Sequence, residues 1–181
     1  MNEALLIADC RKQEGKAQRA VFDAYADPML TLCVRYLKNT HEAEDALLRG
    51  FEKFFRSLGR FEYRGDGSIR AYLKQIMVRE CLMSMRQTRR LVFLEEREMD
   101  YADTGTDLFG GLQAKDIFRL IAELPDGYRT VFNLYEVEGY SHQQIATDLG
   151  VSVGTCKSQL SKAKAALRQR LTQIEGDYAR R

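Results

Sequence analysis

The residues in this chain that could do chemistry are hydroxyls and cations at helical spacing, and the chemistry they suit is recognition. Thr155, Ser158 and Lys162 recur every three or four residues. At 100° per residue they point away from an apolar stripe of Val153, Cys156, Leu160, Ala163, Leu167 and Leu171. Lys157, Ser161, Lys164 and Arg168 line one flank of the same helix. Hydroxyls and a lysine tip can reach base edges in a DNA major groove, while flanking cations hold phosphates. From 157 to 181, seven cations stand against only Glu175 and Asp177. An ordinary solvated bundle helix can be equally basic, so the distinction has to come from what precedes it.

A second group lies earlier. Gln75, Arg79, Arg86 and Arg90 fall in one narrow sector of a helix, because steps of four, seven and eleven residues nearly complete whole turns. Between 70 and 90, six cations face Glu80 alone. Phe61, Tyr63 and Tyr72 lie in or beside a Gly-rich loop at the start of this helix. That combination can stack unpaired bases while cations hold the strand. Taken singly, each aromatic reads as a core residue. A third group, Glu42, Glu44 and Asp45, occupies the first turn of another helix, where an anion gains about 0.3–1 kcal/mol from the helix terminus without any partner.

Other chemistries have no residues to carry them. Cys10, Cys33, Cys81 and Cys156 are widely spaced, with no CxxC pairing, and read as buried thiols in a reducing compartment. His41 and His142 stand apart from cysteine partners, so no metal site is expected. The sequence offers no phosphate loop and no nucleophile–base pair, which points away from an enzyme and from any cofactor. The net charge of +2 is too small to argue for nucleic acid by itself, so the distribution of charge carries that argument. No run of about 18 apolar residues is present, and Asp9, Arg11 and Lys12 follow a short apolar stretch, against a signal peptide or membrane insertion. A cytoplasmic location is expected.

The elements that must position these groups are helices. Ser141 with Gln144 forms a capping box, Ile145, Ala146 and Leu149 follow at helical spacing, Gly150 ends the helix, and Ser152 caps the next. This is the punctuation of a helix-turn-helix. Ahead of it, Ile117, Leu120 and Ile121 mark one helix, and Pro125 opens another that Gly139 stops. In the first half, Gly15 is expected to break a short N-terminal helix and Pro28 to open a new one. Asn39 with Glu42 starts a helix reaching about Leu58 with Ala43, Leu47, Phe51, Phe54 and Phe55 inward, and Ser68 caps a helix reaching about Thr88. Between 95 and 107, six carboxylates outnumber Arg97. With Gly105 inside that stretch and Gly110 and Gly111 after it, the segment from Arg89 to about Gln113 reads as a flexible acidic tether. The expectation is an all-α chain of two small helical domains, 1–90 and 114–181, joined by a linker at 91–113.

Several stretches carry a family resemblance. Leu124-Pro125, the run Tyr128 to Tyr135, Glu138 to His142 and Gly154 to Ala163 resemble region 4 of the small bacterial sigma factors of the extracytoplasmic-function type. The stretch His41 to Asp45, followed by Phe51, resembles region 2 of the same family. The resemblance implies that Thr155, Lys157, Ser158, Ser161, Lys162, Lys164 and Arg168 contact the minus-35 promoter element. It implies that Phe61, Tyr63, Tyr72, Gln75, Arg79, Arg86 and Arg90 capture the minus-10 strand, with a base flipped into a pocket at the loop. Glu42, Glu44, Asp45, Leu48 and Arg49 would dock on the beta-prime clamp helices of RNA polymerase core, with the beta flap as a further polymerase contact and an anti-sigma factor as a partner. The family usually has Gln and an acidic residue where Leu48 and Arg49 stand, and commonly Trp and Asn where Tyr72 and Arg79 stand. Two alternatives stay open: a stand-alone helix-turn-helix regulator, and an interaction module that titrates an anti-sigma factor.

Overall fold

The structure, a computed structural model, describes residues 2–88 and 114–178. Within them every regular element is helical, and the chain divides after Thr88 into two units. The acidic stretch 95–107 and Arg90 lie outside the described residues.

The N-terminal unit holds α1 (Glu3–Arg11), α2 (Gly15–Leu37), α3 (Thr40–Ser57) and α4 (Ser68–Gln87). Helices α2, α3 and α4 pack pairwise, and α1 lies on α2. Asn39 Oδ1 accepts from the amides of His41 and Glu42 at 2.9 and 3.3 Å, satisfying donors that a helix start leaves free. The expected break at Gly15 falls instead at Gln13, whose φ is 61°, and Gly15 is the first residue of α2. Pro28 opens no new helix and sits inside α2. A proline there costs about 3 kcal/mol through its lost N–H and ring clash. Burial of Val21, Met29, Leu32, Cys33 and Tyr36 along one helix offsets that cost.

Against the expectation that Ser68 caps α4, the cap is Gly67, at φ 87°, a left-handed conformation that favours glycine. Where α3 crosses α4, Gly50 faces Met77: a Cβ at position 50 would sit 2.7 Å from Met77 Cε and overlap its Sδ, so the missing side chain admits the methionine. Beside this contact Glu80 is 3% exposed and is held by Lys53 Nζ at 2.5 Å and Arg49 Nε at 3.6 Å.

The C-terminal unit holds α5 (Ala114–Ala122), α6 (Asp126–Phe132), a π-type turn (Asn133–Val137), α7 (His142–Leu149) and α8 (Val153–Tyr178). Leu120, Ile121, Val131, Leu134, Ile145, Leu160 and Leu167 form its core. One core position is a charge. Arg129 is fully buried, its Nη1 donates to Leu124 O at 2.9 Å, and its Nη2 lies 2.7 Å from Asp126 Oδ1. The guanidinium thereby fastens the turn between α5 and α6.

Each of the four cysteines is a free, buried thiol. Burial pushes the Cys156 thiol up to about 11. A hydrogen bond with Cys33, and then burial, raises Cys81 well above the ordinary range.

Candidate nucleic-acid interface

The C-terminal site is built on local capping chemistry. Ser141 and Gln144 form the reciprocal box: the Gln144 amide donates to Ser141 Oγ at 3.2 Å and the Ser141 amide to Gln144 Oε1 at 2.8 Å. Gly150 closes α7 at φ 70°. Ser152 Oγ then accepts from the Thr155 amide at 2.9 Å, which orients the first turn of α8 two residues past Gly150. The two helices are therefore joined by a short turn whose geometry the backbone itself fixes.

The face of α8 differs from the sequence expectation at two positions. Ser158 is only 9% exposed and does not face solvent. Helix α8 packs against α5, α6 and α7, so more than one arc of it is covered, and a stripe drawn from large apolar residues undercounts the buried surface. Gln159 is buried beside it for the same reason. Lys164 is paired with Glu136 at 3.1 Å, with its side chain 14% exposed, so that flank of α8 turns towards the π-type turn. Lys157 is exposed, and Thr155, Ser161, Lys162 and Arg168 are half-buried. The Thr155 hydroxyl lies 2.9 Å from Ser152 Oγ and so shares in the cap.

His142 stacks on Tyr135 with ring centroids 4.3 Å apart and planes at 17°. Burial, then Lys157 and Lys164, lower its pKa, against an opposing pull from Glu136. The imidazole is thereby held neutral at the entry to α7. The signal in the sequence was the Tyr135–His142 spacing across a glycine turn, which no periodicity rule reads.

In the N-terminal unit an open cleft of about 720 Å³ is lined by Arg60, Phe61, Glu62, Arg64, Asp66, Gly67, Ser68, Ala71, Tyr72 and Gln75. Three of the expected residues, Phe61, Tyr72 and Gln75, meet there. Phe61 is nevertheless buried, stacked on Tyr72 at 5.0 Å and 30°, with Phe54 behind both at 6.3 and 5.9 Å. It serves as the floor of the cleft because three aromatics bury more area together than a loop-tip ring would alone. Tyr72 is half-buried and presents the accessible aromatic surface. Tyr63 is not in the lining, and its hydroxyl lies 2.9 Å from Asp66 Oδ1. Arg79 and Arg86 are exposed along α4 beyond Gln75. Arg60 and Arg64 are two cleft-lining cations that the sequence reading did not name.

On α3, Glu44, Asp45 and Arg49 are exposed, Glu42 is half-buried, and Leu48 is 59% exposed. The tie from Arg49 to the buried Glu80 gives this cation an internal duty. Among the described residues no group of histidines, cysteines and carboxylates could hold a metal ion, and no helix is long and apolar enough to cross a membrane.

A capped helix-turn-helix in one unit, and an aromatic-floored cleft beside a basic helix in the other, define a helical protein of the class that reads nucleic acid. The comparisons with known proteins specify that class. Residues 21–91 match sigma-70 region 2 and residues 114–167 match sigma-70 region 4. The chain is 31% identical to the RNA polymerase sigma-H factor of Pseudomonas aeruginosa, over 79% of this chain and 80% of that one. It is 26% identical to the ECF RNA polymerase sigma factor SigW of Bacillus subtilis, over 93% of this chain and 96% of that one. Two solved structures share the fold. One is CnrH in complex with the cytosolic domain of CnrY, at TM-score 0.50 and 19% identity, covering 93% of this chain and 96% of that one. The other is the sigma factor RpoE from Bartonella quintana in complex with the anti-sigma factor NepR, at TM-score 0.53 and 22% identity, covering 85% and 96%. The chain belongs to the sigma-70 family and is an RNA polymerase sigma factor of the extracytoplasmic-function type.

Proposed function

We propose that this sigma factor directs core RNA polymerase to its promoters through two readings of DNA, one by each unit. Residues 114–181 place α8 in the major groove of the minus-35 element, with Lys157, Ser161, Lys162 and Arg168 as its contacts and Thr155 at the entry. Residues 1–90 hold the polymerase through α3 and take the melted minus-10 strand into the cleft between the loop and α4. There Tyr72 offers a stacking face, and Gln75, Arg79 and Arg86 follow the strand, with Arg60 and Arg64 added at the rim. The segment 91–113 joins the two as a tether. Binding free energy drives both steps, and the bond-making chemistry belongs to the polymerase. The protein acts in the cytoplasm, and an anti-sigma factor is its natural regulator.

The observation that carries this reading is the cleft itself: an aromatic floor, a half-buried tyrosine and arginines at the rim meet at the start of a basic helix. That arrangement suits an unpaired base on a phosphate backbone. The test is run-off transcription by core polymerase plus this protein on a promoter library, with co-purification of core enzyme as its companion. Selective transcripts and a stable complex are expected. Absence of both overturns the proposal.

A further inference from the structure

Helix α1 has no part in the reading above, yet its two ends reach the two ends of the cleft loop. At the far end, Glu3 is 8% exposed, and its Oε2 accepts from the Gly67 amide at 3.1 Å, just where the loop hands over to α4. Its Oε1 accepts from the Tyr25 hydroxyl at 2.8 Å. Burial, then this bond, pushes the Tyr25 phenol up to about 12, so the hydroxyl remains a donor at neutral pH. At the near end, Arg11 Nε donates to Leu58 O at 3.0 Å and Arg11 Nη2 donates to Phe61 O. Glu3 and Arg11 lie roughly two helical turns apart, a rigid span of about 12 Å.

Apart from the burial of Phe61, the loop's own contacts are short-range: the Tyr63 hydroxyl lies 2.9 Å from Asp66 Oδ1, and the Ser68 amide donates to Gly65 O at 3.1 Å. Residues 61–64 form no regular element. At its tip, the Ser68 hydroxyl donates to Gly65 O at 2.5 Å and accepts from the Arg64 amide at 3.1 Å. Ordering a backbone costs free energy for each residue fixed, and a loop already fixed before its ligand arrives spares the binding step that cost.

We infer that α1 is a strut that holds the strand-capture loop in its receptive shape, with Glu3 and Arg11 as positioning residues for the minus-10 base. This rests on the sigma-factor mechanism proposed above. The bland alternative is a helix present only to cover the core, since Ile7 and Cys10 are both buried. The two differ in what they predict for the polar residues: a cover needs Ile7 and Cys10, whereas a strut needs Glu3 and Arg11.

The experiment uses the full chain bound to core polymerase and two DNA probes. One is a forked fragment with the minus-10 strand single-stranded, and the other is a duplex carrying the minus-35 element alone. Glu3→Ala and Arg11→Lys each lower affinity for the forked fragment by about tenfold, the scale of one lost charge-assisted hydrogen bond. Lysine keeps the charge at position 11 but cannot serve two carbonyls with one tip. Both variants leave core-polymerase binding and minus-35 duplex affinity within about twofold of the parent. Glu3→Gln, which keeps an acceptor for the Gly67 amide, recovers most of the loss. Parallel losses on both probes, or a forked-fragment affinity unchanged in Arg11→Lys, overturn the strut while leaving the promoter reading intact. If Glu3→Ala fails to fold, Arg11→Lys at an exposed position decides alone. If the parent protein itself ignores the forked fragment, the promoter reading falls and the strut with it.

Discussion

Replacing Arg129 by alanine should destabilise the helix-turn-helix unit selectively. The guanidinium is fully buried, donates to Leu124 O at 2.9 Å and lies 2.7 Å from Asp126 Oδ1. Truncation removes one donor from a buried carbonyl, takes one cationic partner from Asp126 and leaves a void where the side chain lay. Breaking a buried pair from one side costs about 3–5 kcal/mol, against a total of about 5–15 kcal/mol for a typical domain. Arg129→Lys keeps the charge and most of the volume but cannot serve both partners, and should cost about 1–3 kcal/mol. Asp126→Asn, at a partly exposed site, should cost least. Amide hydrogen exchange followed by mass spectrometry on the full chain separates the units. Arg129→Ala should raise exchange across α6, α7 and α8 by two or more orders of magnitude, as a loss of about 3 kcal/mol requires. Helices α2, α3 and α4 should exchange as before. Protection of α6–α8 within about fivefold of the parent, roughly 1 kcal/mol, would refute the assignment of Arg129 as the fastening of that turn.

Three further expectations concern charge. Lys162→Ala should change which minus-35 sequences are preferred, by about 1–3 kcal/mol between best and altered sites. Arg168→Ala should weaken all sites alike and reduce the salt slope by about one, and equal behaviour of the two in a binding-site selection contradicts the division. Removing both Arg49 and Lys53 should destabilise the N-terminal unit by about 2–4 kcal/mol because Glu80 stays buried without a cation. Glu80→Gln leaves two half-exposed cations that water can serve and should cost about 1 kcal/mol or less, and urea midpoints in the reverse order exclude the explanation. His142 should make the C-terminal unit less stable in acid. Its folded pKa lies below the ordinary 6.5, so the unfolded chain takes the proton first. Its contribution is intact above about 6.5 and is lost progressively as pH falls from there through the lowered folded value. His142→Phe should remove that component, and an unchanged pH dependence of exchange in α7 argues against it.

What the sequence revealed was what local chemistry decides. The box at Ser141 and Gln144, the left-handed Gly150 and the cap at Asn39 are interactions between residues two to four apart, and each stands in the structure as expected. The all-helical architecture followed from the same signals. What stayed hidden depends on tertiary packing and on pairings that capping and periodicity rules do not read. Glu80 and Arg129 carry charges that pattern-reading assigns to the surface, and the cations of α3 offset the burial of the one, the Leu124 carbonyl and the Asp126 carboxylate that of the other. Pro28 looked like a beginning because a helix start tolerates it, but packing on both sides carried α2 through. An angular rule that sees one packing face puts Ser158 outward, whereas α8 has three neighbouring helices. In the cleft at the start of α4, Phe61, Tyr72 and Gln75 are residues that type and position single out, while the contact of α1 with its loop rests on bonds such as Glu3 to Gly67, which only folding brings together.

The meeting of Gly50 and Met77 couples two positions that the chain separates. Neither can be chosen freely: a larger group at 50 needs a shorter one at 77, because the methionine has no exposed side to escape to. Among natural or laboratory variants these two sites should drift as a pair, with bulk traded from one helix to the other and the sum of their volumes kept nearly constant.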